Sequence, residues 1–333
     1  MLRPADIPAQ APRAAIPAAT PAMPVQRRLP QAGLLADGRR LHLNDGPIDL
    51  VIEADGPADV VASAYRAATE RLAGLLDTLC GELSLLRRPA HPGPCPLQGP
   101  VARRMWAAVS PHARAVFITP MAAVAGAVAE EVLAAMVRPG LTRAFVNNGG
   151  DIALYLSPGT ELVAGIVDRP DRPRVVGSAR ITADGPVRGI ATSGWRGRSF
   201  SLGIADAVTV LAPTAAAADA AATVIANAVN LPAHPGIVRV PAREVLPDSD
   251  LGLLKVTRHV PELTPAERDE ALAEGLAVAG ALVARGLITA AALHLQGASV
   301  STCPVGDAAV SSRPITLSPV TFAAEQERGV AHA

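Results

Sequence analysis

A chain that is half hydrophobic yet holds only four Phe, two Trp and two Tyr among 333 residues must build its core from Ala, Val, Leu and Ile. Such side chains fill little volume each, so the elements that carry them have to pack closely. The length fits one large domain or two modest ones, and the apolar content supports a sizeable core. Thirty basic residues balance thirty acidic ones. The balanced total leaves no electrostatic footprint for a nucleic-acid backbone or an anionic membrane, so neither is expected as a partner.

Three cysteines, Cys80, Cys95 and Cys303, lie far apart with no CxxC or Cys/His spacing, which excludes a disulfide framework and a zinc knuckle. The longest apolar stretches, Pro120–Val137 and Ala271–Leu295, carry Glu130 and Glu131 or Glu274 and Arg285 near their centres, as soluble core helices do and membrane spans do not. Residues 1–33 are rich in Pro and Ala, contain no unbroken apolar run, and are expected to form a flexible tail rather than a secretory signal. A domain over 34–325, a short tail over 326–333 and a cytoplasmic location complete this expectation.

The organisation between the tails reads as α+β. Leu41–Ala54 alternates apolar and polar residues around Asn44-Asp45-Gly46, a hairpin pattern. Helical spacing follows from Asp59 to Leu86 and again around Val101–Val109, leading into a strand at Ala115–Ile118. A small-residue helix from Met121 stops at Pro139-Gly140, and strands are expected at Arg143–Val146, Ile152–Leu156, Leu162–Val167, Asp206–Ala212 and Ile288–Leu295. Thr214–Val229 is an Ala-rich helix, and Thr264-Pro265-Ala266-Glu267 is a capping box opening a helix to about Gly286. Strands and helices without strict βαβ alternation give mixed or antiparallel sheets packed with helices.

Three segments could carry chemistry. Asn147-Asn148-Gly149-Gly150-Asp151 sits between two apolar strands, where paired glycines let a backbone approach a ligand and Asp151 could orient a hydroxyl or a cation. Alone, such an element is more often a hairpin turn. On the Ala-rich helix, Asp219 and Thr223 stand at i and i+4 on one face, a placement suited to ligating Mg²⁺ through oxygen. The bland alternative has Asp219 facing the helix dipole and Thr223 bonding back to a carbonyl. Gly189–Asp206 is rich in Gly, Ser and Arg, and its Thr192, Ser193, Ser199, Arg196 and Arg198 could cradle a phosphate; the alternative is an ordinary loop. None of the seven histidines pairs at a metal-ligand spacing, and His294, in an apolar strand, reads as a satisfied core residue. GxSxG, P-loop and GxGxxG signatures are missing.

The order VNNGGDIAL at 146–154, ATSG at 191–194 and VTVLAPTAAAADAAAT at 208–223 resembles the ApbE-like superfamily, whose founding members are flavin transferases. The resemblance implies one ApbE-like α+β domain with FAD or FMN as its cofactor, and Asp219 and Thr223 as Mg²⁺ ligands beside the diphosphate of a flavin dinucleotide. It further implies that Asn147, Gly149, Gly150 and Asp151 shape the cofactor pocket and that Thr192, Ser193 and Gly194 form an adjoining turn. In the transferases FMN passes to a Ser or Thr of an acceptor protein. The family's H-I-I-D-P-x-T-G segment is shortened here to Ser201-Leu202-Gly203-Ile204-Ala205-Asp206, without the histidine, and the lysine of A-x-A-K-G is missing at Ala123–Ala127. The chain therefore looks like the cytoplasmic, uncharacterised branch. Three functions remain open: an Mg²⁺-assisted flavin site without transfer, FMN transfer onto a partner, or a non-catalytic accessory of sulfur assimilation and homocysteine formation.

Overall fold

The structure, a computed structural model, describes residues 29–169, 171–172, 174–303 and the backbone of 315–319. Most of the expected tail 1–33 and all of 326–333 lie outside the described residues.

Three strands open the fold, β1 (Gln31–Leu34), β2 (Leu41–Asp45) and β3 (Ile48–Asp55), so ordered structure begins inside the segment expected to be tail. The β2–β3 pair is the hairpin expected from the Asn-Asp-Gly turn, with Asp45 opposite Ile48 and Gly46 at φ +61°. Helical spacing from Asp59 to Leu86 yields three helices rather than one: α1 (Ala58–Leu72), α2 (Leu75–Gly81) and α3 (Leu83–Leu86). Gly74 at φ +77° makes the first break. After α4 (Pro100–Val109) the expected strand Ala115–Ile118 does not form. Its backbone turns locally instead, with Ala115 and Val116 N–H both donating to the His112 carbonyl.

A single 3-10 turn at Pro120–Ala123 leads into α5 (Val124–Met136), followed by β4 (Arg143–Asn148), β5 (Asp151–Leu156), β6 (Glu161–Val167) and β7 (Val175–Thr182). Next come β8 (Gly189–Ser193), β9 (Ala207–Ala212) and α6 (Ala215–Ala228), with Thr214 capping α6 by accepting the Ala217 N–H at 3.2 Å. A small pair, β10 (Val238–Pro241) and β11 (Lys255–His259), flanks α7 (Ala242–Val245). The chain ends in α8 (Pro265–Ala284), β12 (Ala290–Leu295), β13 (Ala298–Ser301) and β14 (Ile315–Pro319). The capping box of α8 forms as read from the sequence, Thr264 and Glu267 satisfying one another's backbone N–H groups.

Nine strands make one antiparallel sheet in the order β1-β2-β3-β4-β5-β8-β9-β12-β13. One face packs against α5, α6 and α8. On the other lies the small sheet β14-β7-β6, closed over Leu154, Leu156, Ile190 and Leu211 by Ile166 and Ile181. Covered on both faces, β9 and β12 are buried along their whole length, which is why they read as continuous apolar runs. This is the α+β class expected, and small residues set its spacing. A Cβ on Gly126 of α5 would lie 2.3 Å from the Ala215 carbonyl oxygen, so α5 meets the start of α6 backbone to backbone.

Candidate active site

The floor of the site is where α5 and α6 meet. Asp219, in the second turn of α6, accepts the Gly126 N–H at 3.0 Å. Gly126 is in the first turn of α5, whose N–H groups have no partner within their own helix. Asp219 thus caps a neighbouring helix, a tertiary contact that the reading of a free helix face did not contain. Thr223 stands one turn on, half-buried and lining the same cavity of about 300 Å³. Its hydroxyl forms no bond back to the helix, so the bland alternative for Thr223 does not hold. Asn227 follows at the next turn, its Oδ1 accepting the Leu202 N–H at 2.8 Å and the Ser201 hydroxyl at 3.1 Å.

Asp151 enters the cavity from the sheet. The β4–β5 hairpin turns through Gly149 (φ +66°) and Gly150 (φ +115°), so a two-residue loop brings Asp151 opposite Asn148 at the cavity mouth. Asn147 tightens the loop by accepting the Gly150 N–H at 2.8 Å, and Asn148 ties it to α5 by donating to the Ala125 carbonyl at 3.1 Å. Of the first motif, only Asp151 lines the cavity; Asn147, Gly149 and Gly150 act on its position.

The Thr192-Ser193-Gly194 segment also stands behind the cavity. Thr192 donates its N–H to Asp151 Oδ1 at 3.3 Å, while its hydroxyl meets that of Thr209 at 2.9 Å within the sheet. Neither Ser193 nor Gly194 lines the cavity, but Arg198 and Ser199 do. Opposite them, Thr119 and Asp250 are hydrogen-bonded at 2.5 Å. Sequence reasoning missed this pair, and a separation of 131 positions between its partners leaves no local signal.

Asp151 and Asp219 border one cavity, and among the described residues neither hydrogen bonds or forms an ion pair with Arg, Lys or His. Burial pushes the Asp151 carboxyl up to about 7, against the weaker pull of the Thr192 N–H. Burial pushes Asp219 up as well, the neighbouring Asp151 charge adds to it, and the α5 N–H groups oppose it. Two carboxylates so placed cannot both ionise without a counter-charge. Oxygen donors from Asp219, Asp151 and Thr223 are the chemistry a hard cation takes. No group of three or more His, Cys, Asp and Glu able to hold a metal occurs among the described residues, so water or ligand oxygens would complete a coordination sphere here.

His294, expected as a satisfied core residue, is buried at 6% exposure, and its Nδ1 meets the Ser299 hydroxyl at 2.6 Å. Among the described residues its Nε2 has no hydrogen-bond partner. Among the described residues no helix is long and apolar enough to cross a membrane.

The fold and site define an α+β protein with a paired-carboxylate cavity at a helix–helix junction. The family model described as AbpE bacteria matches residues 32–301, and the chain belongs to that ApbE-like family. A UPF0280 protein of Methanosarcina barkeri is 34% identical over 184 residues, 55% of this chain and 69% of the relative. The UPF0280 protein of Methanothrix thermoacetophila is 40% identical over 132 residues, 39% of this chain and 52% of the relative, so the match spans about half of that protein. Among solved structures, the apo form of the flavinyl transferase ApbE of Pseudomonas stutzeri is similar at 15% identity and a TM-score of 0.41, covering 84% of this chain and 96% of that one.

Proposed function

We propose that the chain binds a flavin nucleotide, FAD or FMN, through a Mg²⁺ ion held by Asp219 and Thr223 with Asp151 beside them. The observation that carries this reading is the Asp151/Asp219 pair, two carboxylates on one cavity with no cationic side chain bonded to either. A Mg²⁺ ion would supply the missing positive charge and neutralise a diphosphate. The chain's own residues do the positioning. The α5 N–H groups hold Asp219, the Thr192 N–H holds Asp151, and Arg198 and Ser199 offer donors to a phosphate at the rim. Family membership supports a flavin as the diphosphate carrier. A cavity of about 300 Å³ is at the small end for ligand sites and suits a diphosphate with part of its nucleotide.

Binding without transfer is the favoured form of the reading, because no histidine lines the cavity among the described residues to serve as a base. The test is titration of FAD fluorescence with the purified protein in Mg²⁺, then in excess chelator, repeated with Asp219→Asn. Saturable binding lost on chelation and in the variant is expected. Absence of binding in both conditions overturns the reading and moves the search to an accessory role in sulfur assimilation. Incubation with FAD, Mg²⁺ and a Ser/Thr-containing acceptor protein, followed by mass measurement, separates binding from FMN transfer onto a pathway partner.

A further inference from the structure

A second, larger cavity of about 550 Å³ opens at the ends of β9 and β12. Among the described residues none lines both cavities. Its wall is built around Asp206, a carboxylate only 3% exposed. Asp206 Oδ1 accepts the Arg196 Nε–H at 2.6 Å, and Oδ2 accepts the Gln296 N–H at 2.6 Å.

Gln296 is the only non-glycine residue with positive φ, at +46°, among the described residues. Glutamine is a poor choice for that conformation, which persists only where the surroundings over-determine it. They do so here. Its side chain accepts the Leu263 N–H at 2.9 Å and donates to the Pro261 carbonyl at 2.6 Å, while its own carbonyl accepts Arg268 Nη1–H at 2.9 Å. Four bonds thus hold a strained residue so that Arg196 and Arg268 are both fixed on the cavity wall.

What these anchored groups leave unused defines a ligand. Among the described residues the Arg268 Nε–H is buried without a partner. Arg196 engages Asp206 through Nε and pairs with Asp171 Oδ2 through Nη1 at 3.7 Å, and Arg174 engages Asp168 Oδ2 through Nε and Nη2, so each keeps a guanidinium N–H group for another acceptor. Among the described residues Asp168 Oδ1, an acceptor, is buried and unpartnered, and Nε2 of the 94%-buried His294 is unpartnered too. His294 Nδ1 is already bound to Ser299, which fixes the ring. Buried polar atoms left without partners are costly, and among the described residues three border this one cavity.

We propose that this cavity is a second binding site, for a small organic anion, a carboxylate or phosphate that also carries a hydroxyl. Its anionic oxygens meet the remaining guanidinium N–H groups of Arg174, Arg196 and Arg268. Its hydroxyl donates to Asp168 Oδ1. The inference does not rest on the flavin reading, since the two sites share no lining residue and no cation is needed here.

Trp195 supplies the reporter. The Arg196 guanidinium carbon sits 4.3 Å from the centre of its ring, so a ligand that engages Arg196 alters the cation–π contact and the emission. In a full-length Trp106→Phe background Trp195 is the sole tryptophan. Glycerol 3-phosphate and malate are titrated as the phosphate and carboxylate arms, with glycerol, succinate and sodium chloride as matched controls and excess chelator throughout. The proposal expects a saturable change with at least one arm below roughly 10 mM, and a response at least roughly tenfold weaker to the matched control lacking the anion or the hydroxyl. Arg268→Gln and Asp168→Asn should each weaken it by roughly tenfold. If Arg268→Gln fails to fold, Asp168→Asn, whose other contact is the Arg174 pair, carries the test. No saturable response in either arm, a responding arm equalled by its matched control, or indifference of that response to Asp168→Asn overturns the proposal.

Discussion

Replacing Asp151 by Asn should stabilise the protein free of ligand at alkaline pH, although the residue sits in the candidate site. In the folded chain burial raises the Asp151 carboxyl from 3.8 to about 7. Between those values the folded state holds a proton that the unfolded state has released. Stability from this group is therefore full below about pH 4 and is lost as the pH rises to about 7. A span of about three pH units at 1.36 kcal/mol each gives a loss of about 4 kcal/mol. Asp151 is half-buried and borders the open cavity, where water relieves part of the cost, so about 2 kcal/mol is the lower bound. Asparagine keeps an oxygen for the Thr192 N–H and never ionises. Urea unfolding of both proteins between about pH 4 and pH 8, in chelator, should show the difference in stability growing toward Asn by about 2–4 kcal/mol. Excess Mg²⁺ at about pH 8 should then raise wild type by about 2.7 kcal/mol at a hundredfold its dissociation constant, and the variant by much less. Parallel pH profiles for the two proteins would refute the reasoning, because the paired carboxylates would then not be strained when empty.

Asp219→Ala removes the acceptor of the Gly126 N–H and should cost about 1–3 kcal/mol in denaturant melts, whereas Asp219→Asn, which keeps an oxygen there, should cost less. Equal losses would mean that the cap contributes nothing. Gly126→Ala should destabilise by about 1–3 kcal/mol despite the better helix propensity of Ala, because its Cβ would lie 2.3 Å from the Ala215 carbonyl oxygen; a raised melting temperature would show that α5 and α6 can separate. Thr264→Ala should lower stability by about 1 kcal/mol through loss of the α8 capping box, without altering flavin titration.

Legibility in the sequence followed how local each determinant was. The β2–β3 hairpin and the α8 capping box are written in a few adjacent residues, and both form as read. The Asp219/Thr223 pairing on one helix face is likewise a matter of spacing, and both residues reach the cavity. Capping of α5 by Asp219 crosses 93 residues and leaves no trace in its own segment. The glycine and TSG motifs marked the neighbourhood of the cavity without lining it: Asn147 and Gly150 close the loop before Asp151, and Thr192 donates to the Asp151 carboxylate. Strands β7, β10, β11 and β13 escaped notice because short or partly exposed strands carry little apolar run. The second cavity draws Arg196, Asp206, Arg268 and Gln296 from separate segments, and only the fold joins them.

The backbone contact between Gly126 and Ala215 also decides how the site can adapt. Most binding pockets adjust to a ligand by swinging side chains between rotamers, but the floor beneath Asp219 has none to swing. Any accommodation there must come from two whole helices sliding together, each anchored along the nine-stranded sheet. The cavity should therefore behave as a rigid die, selecting ligands by fit at its floor and leaving adjustment to the exposed Arg198 and Ser199 at its rim.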